Sequence, residues 1–324
     1  MPQPPTIQAR VQAFLADECL LPETGTVWVG FSGGADSTAL LLLLHALCPG
    51  RSRAVHLHHG LRADGADEDA RWCEQFCRAR GIPCQTARLH VPAHRREGES
   101  EEMAARRLRL DYWRSHTAAG DVVALGHHLN DALETLLMRL LRGGNCSGLT
   151  GLRPRREVDG VVLVRPLLCL TREQVVAFLR KTGVDDWRED PTNAQTAYVR
   201  NHIRHRVVPP LLQLPGTPYA ALTHLRADAE YLENAAAAVP TAPLTRQTLR
   251  TLDPALWPRV LRRWMTEQAG TPVAAGELAI DALRQALERD DGRVDFHPQW
   301  FVRLRHGRDA LVLESKTPRR LMRT

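Results

Sequence analysis

Four short runs rich in apolar and β-branched residues alternate with helical-length segments through the first half of this 324-residue chain. They cover residues 26–31, 53–58, 85–91 and 122–126. Parallel strands need a crossover connection between them, usually a helix, so this alternation predicts an α/β domain built on a parallel sheet. The length is about twice that of an average domain, which predicts a second domain as well.

Helices are predicted between and after these runs, at residues 37–47, 99–115 and 171–182. The first is apolar on nearly all sides, as expected for a helix buried against a sheet. The second is amphipathic and carries Glu102, Arg106 and Arg109 on one stripe.

Two prolines and a glycine at residues 213–218 predict a linker, and we place the domain boundary there, between residues 215 and 216. Beyond it the patterns predict a small α+β domain. Its helices are expected at 219–238, 254–269 and 274–288, and its strands at 295–301 and 311–314.

Composition excludes several classes of protein. Hydrophobic residues make up 44% of the chain, yet no apolar run approaches the roughly 20 residues that cross a bilayer. The polar, proline-rich start lacks the pattern of a signal peptide, so we expect a cytoplasmic protein. The seven cysteines, an odd number, are expected to be free thiols. Cys73 and Cys77 are expected to share a helix face rather than to bind a metal.

Basic charge is concentrated in residues 139–206, which carry 13 Lys and Arg against seven Asp and Glu. The totals for the whole chain are 43 and 37, so this segment supplies most of the surplus. The concentration fits a phosphate-rich partner, and a solvated surface explains it equally well.

A glycine turn between a predicted strand and a predicted helix carries the clearest chemistry. Residues 27–37 read Val-Trp-Val-Gly-Phe-Ser-Gly-Gly-Ala-Asp-Ser. The paired glycines let the backbone approach an anion, and the N–H groups that begin the following helix suit phosphate. Ser32 and Ser37 add hydroxyl donors, and Asp36 is placed to hold Mg²⁺. The turn lacks the Gly-Lys-Ser/Thr ending of a Walker loop, so transfer of a γ-phosphate is not implied.

This Ser-Gly-Gly-Ala-Asp-Ser turn resembles the PP-loop of the ATP pyrophosphatases, which cleave ATP between its α- and β-phosphates and adenylate a substrate. Further blocks follow in the order found in tRNA(Ile)-lysidine synthetases, and the similarity spans roughly residues 26–211. The blocks are residues 55–62, 102–109, 126–135, 142–143, 148–149, 165–167, 190–193 and 200–204.

The resemblance implies a doubly wound, mostly parallel sheet of the adenine nucleotide α-hydrolase type, followed by a smaller C-terminal α+β domain. Residues 1–215 would form the PP-loop ATP-binding catalytic domain. Residues 216–324 would form a linker helix and a tRNA-binding domain, as in a short form of the family with one C-terminal domain.

The implied reaction is the ATP-dependent ligation of L-lysine to C2 of the wobble cytidine, position 34, of a tRNA(Ile) with a CAU anticodon. It would proceed through an adenylated cytidine and release AMP and pyrophosphate. The lysidine product would read AUA instead of AUG. The implied partners are ATP, Mg²⁺, L-lysine and the anticodon loop of the tRNA, with no membrane, and the resemblance leaves a homodimer open.

The same resemblance implies roles for individual residues. Asp36, Asp131 and Arg109 would be catalytic, and Asp36 would hold Mg²⁺. Asp131 and Glu134 would bind the lysine ammonium, although acids at a helix start can also serve the helix dipole alone. ATP would contact Ser32, Gly33, Gly34, Ala35, Asp36, Ser37, His59, Arg106, Arg109 and Gly126. Phosphates of the tRNA would contact Arg142, Arg200 and Arg204.

The chain departs from the family pattern at three places. Asn130 stands where an acid is frequent, Ala132 where a glutamine is frequent, and Gly144-Asn145 where Ser-Gly commonly follows the Arg-Gly pair. A carboxamide carries no charge, so we expect Asp131 and Glu134 to supply the negative charge of the site.

Two histidine pairs, 58–59 and 127–128, follow predicted strands. Adjacent histidines point apart, so packing or a phosphate contact is expected rather than a shared metal. Two other functions remain as alternatives. A PP-loop enzyme that 2-thiolates tRNA would need cysteines placed for catalysis or for binding a cluster. The chain has no Cys-x-x-Cys, although Cys146 is left as a candidate. A non-catalytic nucleotide-binding RNA adaptor would not need the acids named above.

Overall fold

The computed structural model of this chain describes residues 5–58, 65–188, 198–271, 273, 276–289, 292–305 and 307–316. The chain divides into two compact units, Met1–Thr223 and His224–Thr324. The division lies within a helix, eight residues beyond the position 215 at which we expected the first domain to end.

The first unit alternates strands and helices, as the sequence predicts. Its elements are α1 (Ile7–Asp17), β1 (Val27–Gly30), α2 (Ala35–Leu47), β2 (Ser52–His58), α3 (Gly65–Arg78), β3 (Cys84–Arg88), α4 (Val91–His94), α5 (Glu101–His116), β4 (Val122–Ala124), α6 (Leu129–Leu140), α7 (Cys146–Leu149), β5 (Arg155–Val158), β6 (Val161–Val164), a 3₁₀ turn (Pro166–Cys169), α8 (Arg172–Lys181), α9 (Tyr198–His202), a π-helical turn (Ile203–Val207) and α10 (Val208–Gln213).

The six strands form one sheet in the order β3-β2-β1-β4-β6-β5. All neighbouring pairs are parallel except β5 with β6, which are antiparallel. Strand order reverses beside β1, because β2 pairs on one side of it and β4 on the other. Open α/β sheets bind ligands at such a reversal, outside the carboxyl ends of the strands. The expected doubly wound, mostly parallel sheet is confirmed.

Helices cover both faces of the sheet, because the strand side chains alternate between two buried clusters. Val27 and Val29 of β1 belong to the cluster that α2 fills, whereas Trp28 packs in the opposite cluster with Trp113 of α5. Eight of the thirteen residues of α2 are buried, which agrees with its apolar sequence. Burial of this surface stabilises the fold by about 25 cal/mol per Å².

The hairpin of β5 and β6 was not predicted. Its turn is Asp159-Gly160, and both residues have positive φ, 49° and 80°. An Asp-Gly pair between strands favours this conformation, so the sequence does contain a signal for the hairpin.

The second unit is α+β, and α11 (Pro218–Ala237) spans the division between the units. Its further elements are α12 (Arg246–Thr251), a 3₁₀ turn (Pro254–Leu256), α13 (Trp257–Ala269), α14 (Glu277–Arg289), β7 (Gly292–His297), β8 (Trp300–Leu304) and β9 (Val312–Ser315). The strands form an antiparallel sheet in the order β7-β8-β9, whose core includes Leu261, Trp264 and Val302.

Two predictions for this unit are wrong in detail. The expected strand at 295–301 is a hairpin, in which Asp295 pairs with Phe301 across a turn. The expected helix at 254–269 begins with a separate 3₁₀ turn at Pro254. None of the helices in the described ranges combines the length and apolar character that a bilayer span requires.

Candidate active site

The turn between β1 and α2 is closed by its own hydroxyl groups. Ser32 donates its backbone N–H to Ser37 Oγ at 3.2 Å, and the two serine hydroxyls lie 3.0 Å apart. The Ser37 hydroxyl also donates to the carbonyl of Gly34 at 3.0 Å. Gly34 is the N-cap of α2 and has no side chain to accept from the first N–H groups of the helix. These groups are therefore suited to an anion.

Two glycines allow close approaches around this turn. Gly33 has φ of +82°, and a Cβ there would lie 3.2 Å from Cys73 Sγ. Gly126, which follows β4, is packed against the first turn of α2. A Cβ at Gly126 would lie 3.1 Å from the carbonyl carbon of Asp36 and 3.1 Å from the nitrogen of Ser37. The expected ATP-binding residue Gly126 therefore lies against the first turn of α2.

Asp36 lies in the first turn of α2 with 29% of its side chain exposed. Its Oδ2 forms an ion pair with the guanidinium of Arg172, the first residue of α8. Its Oδ1 lies 3.6 Å from His128 Nε2 and accepts no hydrogen bond from the described residues. A buried carboxylate oxygen without a donor fits a cation ligand, so Asp36 suits Mg²⁺. No group of three or more His, Cys, Asp or Glu in the described ranges is arranged to hold a metal ion.

His128 and Asp131 continue this network at the start of α6. The carboxylate of Asp131 accepts the backbone N–H of His128 at 2.9 Å and lies 3.4 Å from His128 Nδ1. This carboxylate caps the helix and complements its dipole. Its side chain is 21% exposed, so Asp131 can still reach a ligand.

Glu134 is far less accessible, with only 4% of its side chain exposed. Arg204, in the π-helical turn, donates to both of its oxygens, at 2.7 Å and 3.0 Å. The same guanidinium lies 3.8 Å from Asp131 Oδ1. Hydrogen bonding to Glu134 raises the pKa of Arg204. Arg204, expected to contact tRNA phosphate, is therefore engaged with both acids expected to bind lysine.

The departures from the family pattern have structural roles. Asn130 is buried, and its Oδ1 accepts the backbone N–H of Arg172 at 2.9 Å, which caps the start of α8. Ala132 is fully buried in the core. A Cβ at Gly144 would lie 2.9 Å from the carbonyl oxygen of Arg139, and Asn145 caps α7. These residues thus serve in helix capping and close packing.

His127 contributes to a second, basic part of the site. Removal from water lowers its pKa to about 4, and the nearby positive charges of Arg165 and Arg109 act in the same direction. His127 is therefore neutral at neutral pH. Arg106 and Arg109 lie on α5, and the positive charge of Arg109 acts on His127, which follows β4.

The remaining expected residues fall outside this cluster. Arg142 and Arg200 are exposed, and neither forms an ion pair with the residues that the structure describes. His59 and the block at 190–193 lie outside the described residues.

Two arginines in the site were not singled out from the sequence. Arg172 pairs with Asp36, and Arg188 donates its backbone N–H to the carbonyl of Gly33 at 2.9 Å. The side chain of Arg188 pairs with Asp69 at 2.6 Å. The capping pattern Thr-Arg-Glu-Gln at 171–174 could have located Arg172 at a helix start, but only the fold brings that start beside α2.

Comparison with known proteins agrees with this geometry. The family model described as a PP-loop domain matches residues 4–211. A tRNA(Ile)-lysidine synthase of Polaromonas naphthalenivorans is 37% identical over 256 residues, which cover 76% of this chain and 77% of the relative. The chain belongs to the tRNA(Ile)-lysidine synthase family.

Other members of the lysidine synthase family are longer than the region they share with this chain. The relative from Bacillus subtilis is 37% identical over 211 residues, 63% of this chain and 44% of its own length. The relative from Pseudomonas fluorescens is 41% identical over 188 residues, 57% of this chain and 41% of its own length. The matched region thus spans less than half the length of these two lysidine synthases.

The fold of this lysidine synthase family member also occurs in more distant proteins. The U34-tRNA thiolase NcsA from Methanococcus maripaludis has a TM-score of 0.54 and 17% sequence identity, covering 69% of this chain and 78% of that protein. At this identity the likeness establishes a common fold.

Proposed function

We propose that the protein ligates L-lysine to C2 of the wobble cytidine of a tRNA(Ile) with a CAU anticodon, consuming ATP and releasing AMP and pyrophosphate. The observation that carries the proposal is the junction of the Ser32–Ser37 turn with the acids Asp36 and Asp131 at the reversal of strand order, in a chain of the lysidine synthase family. The product would be lysidine, which changes the codon read from AUG to AUA.

The phosphates of ATP would bind over the first turn of α2. Its N–H groups and the hydroxyls of Ser32 and Ser37 would offer donors, and Gly33, Gly34 and Ala35 carry no bulky side chain that would keep the anion away. Arg106 and Arg109, with His59 and Gly126, are proposed to complete this site. Planar guanidinium groups suit the charge that develops as pyrophosphate leaves.

Asp36 is proposed to hold Mg²⁺ through the carboxylate oxygen that lacks a donor among the described residues. The ion would neutralise phosphate charge when bound.

Lysine would enter near Asp131 and Glu134, because carboxylates are the natural acceptors of an ammonium group. Asp131 is the accessible one of the pair, and Glu134 lends a buried negative charge. A lysine ammonium would have to replace Arg204 on these acids. Binding would then free the guanidinium for a phosphate of the tRNA.

The reaction would take two steps. Cytidine O2 attacks the α-phosphorus, and the bond to the β-phosphate oxygen breaks. The lysine ε-ammonium then gives up a proton to Asp131, and the neutral amine attacks C2, after which the C2–O2 bond breaks and AMP leaves with O2. Asp36, Asp131 and Arg109 would act mainly through positioning and electrostatics. The cytidine must be unstacked to reach them, which suits a single-stranded anticodon loop.

Contacts with the rest of the tRNA are proposed for Arg142 and Arg200, whose exposed side chains have no ion-pair partner in the described part of the chain. The second unit would bind the tRNA outside the anticodon loop. A homodimer remains compatible with this scheme.

The chemistry of the nearest thiol does not favour tRNA thiolation. Cys73 lies against Gly33, but it is fully buried, and burial raises its pKa above the ordinary value. A buried protonated thiol is a poor nucleophile. None of the seven cysteines, which all lie within the described ranges, is part of a disulfide.

One assay tests the proposal directly. The protein is incubated with radiolabelled lysine, ATP and tRNA(Ile) transcript carrying cytidine 34, and label is counted in the acid-precipitable fraction. A transcript with uridine at position 34 is the matched control. Incorporation that requires ATP and cytidine 34 is expected. Equal label with both transcripts, or none with either, would contradict the proposal.

A further inference from the structure

Arg172 combines a fixed backbone with a movable side chain beside the PP-loop. Its backbone N–H is held by Asn130 Oδ1 at 2.9 Å, and the capping box of Thr171 and Gln174 fixes the first turn of α8. Its side chain is 40% exposed and contacts Asp36 Oδ2. The guanidinium can therefore change partner without any change in the helix that carries it.

The charges around the turn explain why a cation lies there. Three carboxylates, Asp36, Asp131 and Glu134, face this end of the sheet, and Arg204 already serves Glu134 and reaches Asp131. Arg172 is the cation that contacts Asp36. A triphosphate over the first turn of α2 would lie beside Asp36, the second residue of that helix, and would add several negative charges. An unpaired carboxylate at this point would repel the nucleotide, so the Mg²⁺ proposed to bind Asp36 would have to replace the arginine there if the arginine moves.

From this arrangement we propose that Arg172 is a further phosphate-binding residue of the ATP site, held on Asp36 while the site is empty and transferred to the phosphates of the nucleotide when it binds. The inference rests on the proposed function, because it requires ATP as the ligand. Arginine suits both partners, since its planar fork matches a carboxylate and a phosphate equally well.

The alternative is that Arg172 only neutralises Asp36. The two possibilities separate when the carboxylate is removed. In an Asp36→Asn protein the arginine has no carboxylate to neutralise, so a purely neutralising Arg172 would then contribute nothing to nucleotide binding. A phosphate-binding Arg172 would still contribute.

The experiment measures ATP affinity by isothermal titration calorimetry in EDTA, so that no metal ion takes part. The proteins are D36N and D36N with R172Q, and neither leaves an unpaired carboxylate at position 36. The matched control is D36N with R180Q, which removes an exposed arginine from the last turn of the same helix. Thermal unfolding of all three checks that they are folded.

We expect R172Q to weaken ATP binding by about ten- to a hundred-fold in the D36N protein, the effect of losing a charge-assisted hydrogen bond, and R180Q to change it less than about twofold. R172K should recover part of the loss, since it keeps the charge without the fork. Equal ATP affinity of D36N and D36N with R172Q would overturn the inference. Should R172Q fail to fold, R172M in the same background decides in its place, because it keeps most of the aliphatic stem and removes the charge: affinity equal to that of D36N overturns the inference.

Failure of the proposed function gives a different result. In that case the unaltered protein with Mg²⁺ would bind no ATP or would incorporate no lysine into tRNA. If it does both, and R172Q is silent in the D36N background, the inference about Arg172 alone is wrong.

Discussion

Glu134 and Arg204 form a bidentate ion pair, in which the guanidinium donates to the two carboxylate oxygens at 2.7 Å and 3.0 Å. The two partners differ in exposure, 4% for the glutamate side chain and 33% for the arginine. The pair lies where the substrate ammonium is proposed to bind. It thus holds an acid in place before lysine arrives, and its two halves should respond differently to substitution.

Arg204→Gln should destabilise the protein more than Glu134→Gln. The first change leaves a buried carboxylate without its cation, a loss of about 3–5 kcal/mol, whereas the second leaves an arginine that can reach water. Urea unfolding of both variants measures the difference. Arg200→Gln, on an exposed arginine, is the control and should change stability by no more than about 0.5 kcal/mol. Equal losses for the two pair variants would contradict this expectation.

Asp131→Asn and Glu134→Gln should each raise the KM for lysine more than the KM for ATP. Each removes a negative charge proposed to face the ammonium, and a charge-assisted contact contributes about 1.5–3 kcal/mol, at least tenfold in affinity. Asparagine at 131 still accepts the His128 N–H, so α6 stays capped. Steady-state kinetics with lysine and ATP varied separately measures the effect, with the exposed Glu157→Gln as the control. An unchanged KM for lysine would remove the residue concerned from the lysine site.

Asp36→Asn should abolish AMP formation and leave the fold intact, because it removes the charge proposed to hold Mg²⁺ at the phosphates. AMP is measured by chromatography, and circular dichroism reports the fold. Asp17→Asn, an exposed acid at the end of α1, is expected to behave as the unaltered protein. AMP formation at the unaltered rate in D36N would show that Asp36 is dispensable.

Stability should fall as the pH drops from about 6.5 to about 4, in part because of His127. Its pKa is about 4 in the folded chain and near 6.5 when exposed, so the unfolded chain binds the extra proton throughout this window. The contribution is complete above pH 6.5 and amounts to about 3 kcal/mol. His127→Asn should reduce the difference in urea midpoint between about pH 7.5 and about pH 5, whereas the exposed His94→Asn should not. Identical pH profiles for H127N and the unaltered protein would refute this assignment.

The elements that local patterns determine were predicted well. The apolar stretch at 37–47 lies within α2, and the stripe of Glu102, Arg106 and Arg109 lies on α5. Hydrophobic periodicity and glycine turns act over a few residues, so they can be recognised without the fold. The PP-loop turn was found for the same reason.

Partners that come from distant parts of the chain could not be predicted in this way. Arg172 is 136 residues from Asp36, and Arg204 is 70 residues from Glu134. No periodicity links such positions, because the order of strands in the sheet brings them together. Asn130 shows the same limit: its lack of charge was evident from the sequence, whereas its hydrogen bond to the first N–H of α8 depends on tertiary packing.

A fragment of residues 1–216 should be less stable than a fragment of residues 1–237. The first half of α11 belongs to the first unit, since Leu222 is 1% exposed in its core and Tyr219 packs edge-on against Phe14. Removing these side chains exposes apolar surface on α1. Thermal unfolding of both fragments measures the effect. Comparable melting temperatures would show that α11 contributes nothing to the first unit.

The longer fragment also tests the second unit. If that unit binds the tRNA, the fragment of residues 1–237 should bind ATP with the affinity of the full chain but bind tRNA more weakly. Each lost phosphate contact should flatten the log–log salt dependence of tRNA binding by about 0.7–0.9. An unchanged affinity and slope would exclude a tRNA-binding role for the second unit.

The contact of Gly126 with the first turn of α2 also limits how this gene can vary. A single methyl group there would press on the backbone that carries Asp36 and Ser37, at 3.1 Å, and a backbone cannot turn aside as a side chain can. Gly216 has open space around its hypothetical Cβ. In a saturation library selected for tRNA modification, codon 126 should therefore be strongly enriched in glycine, whereas codon 216 should accept many residues.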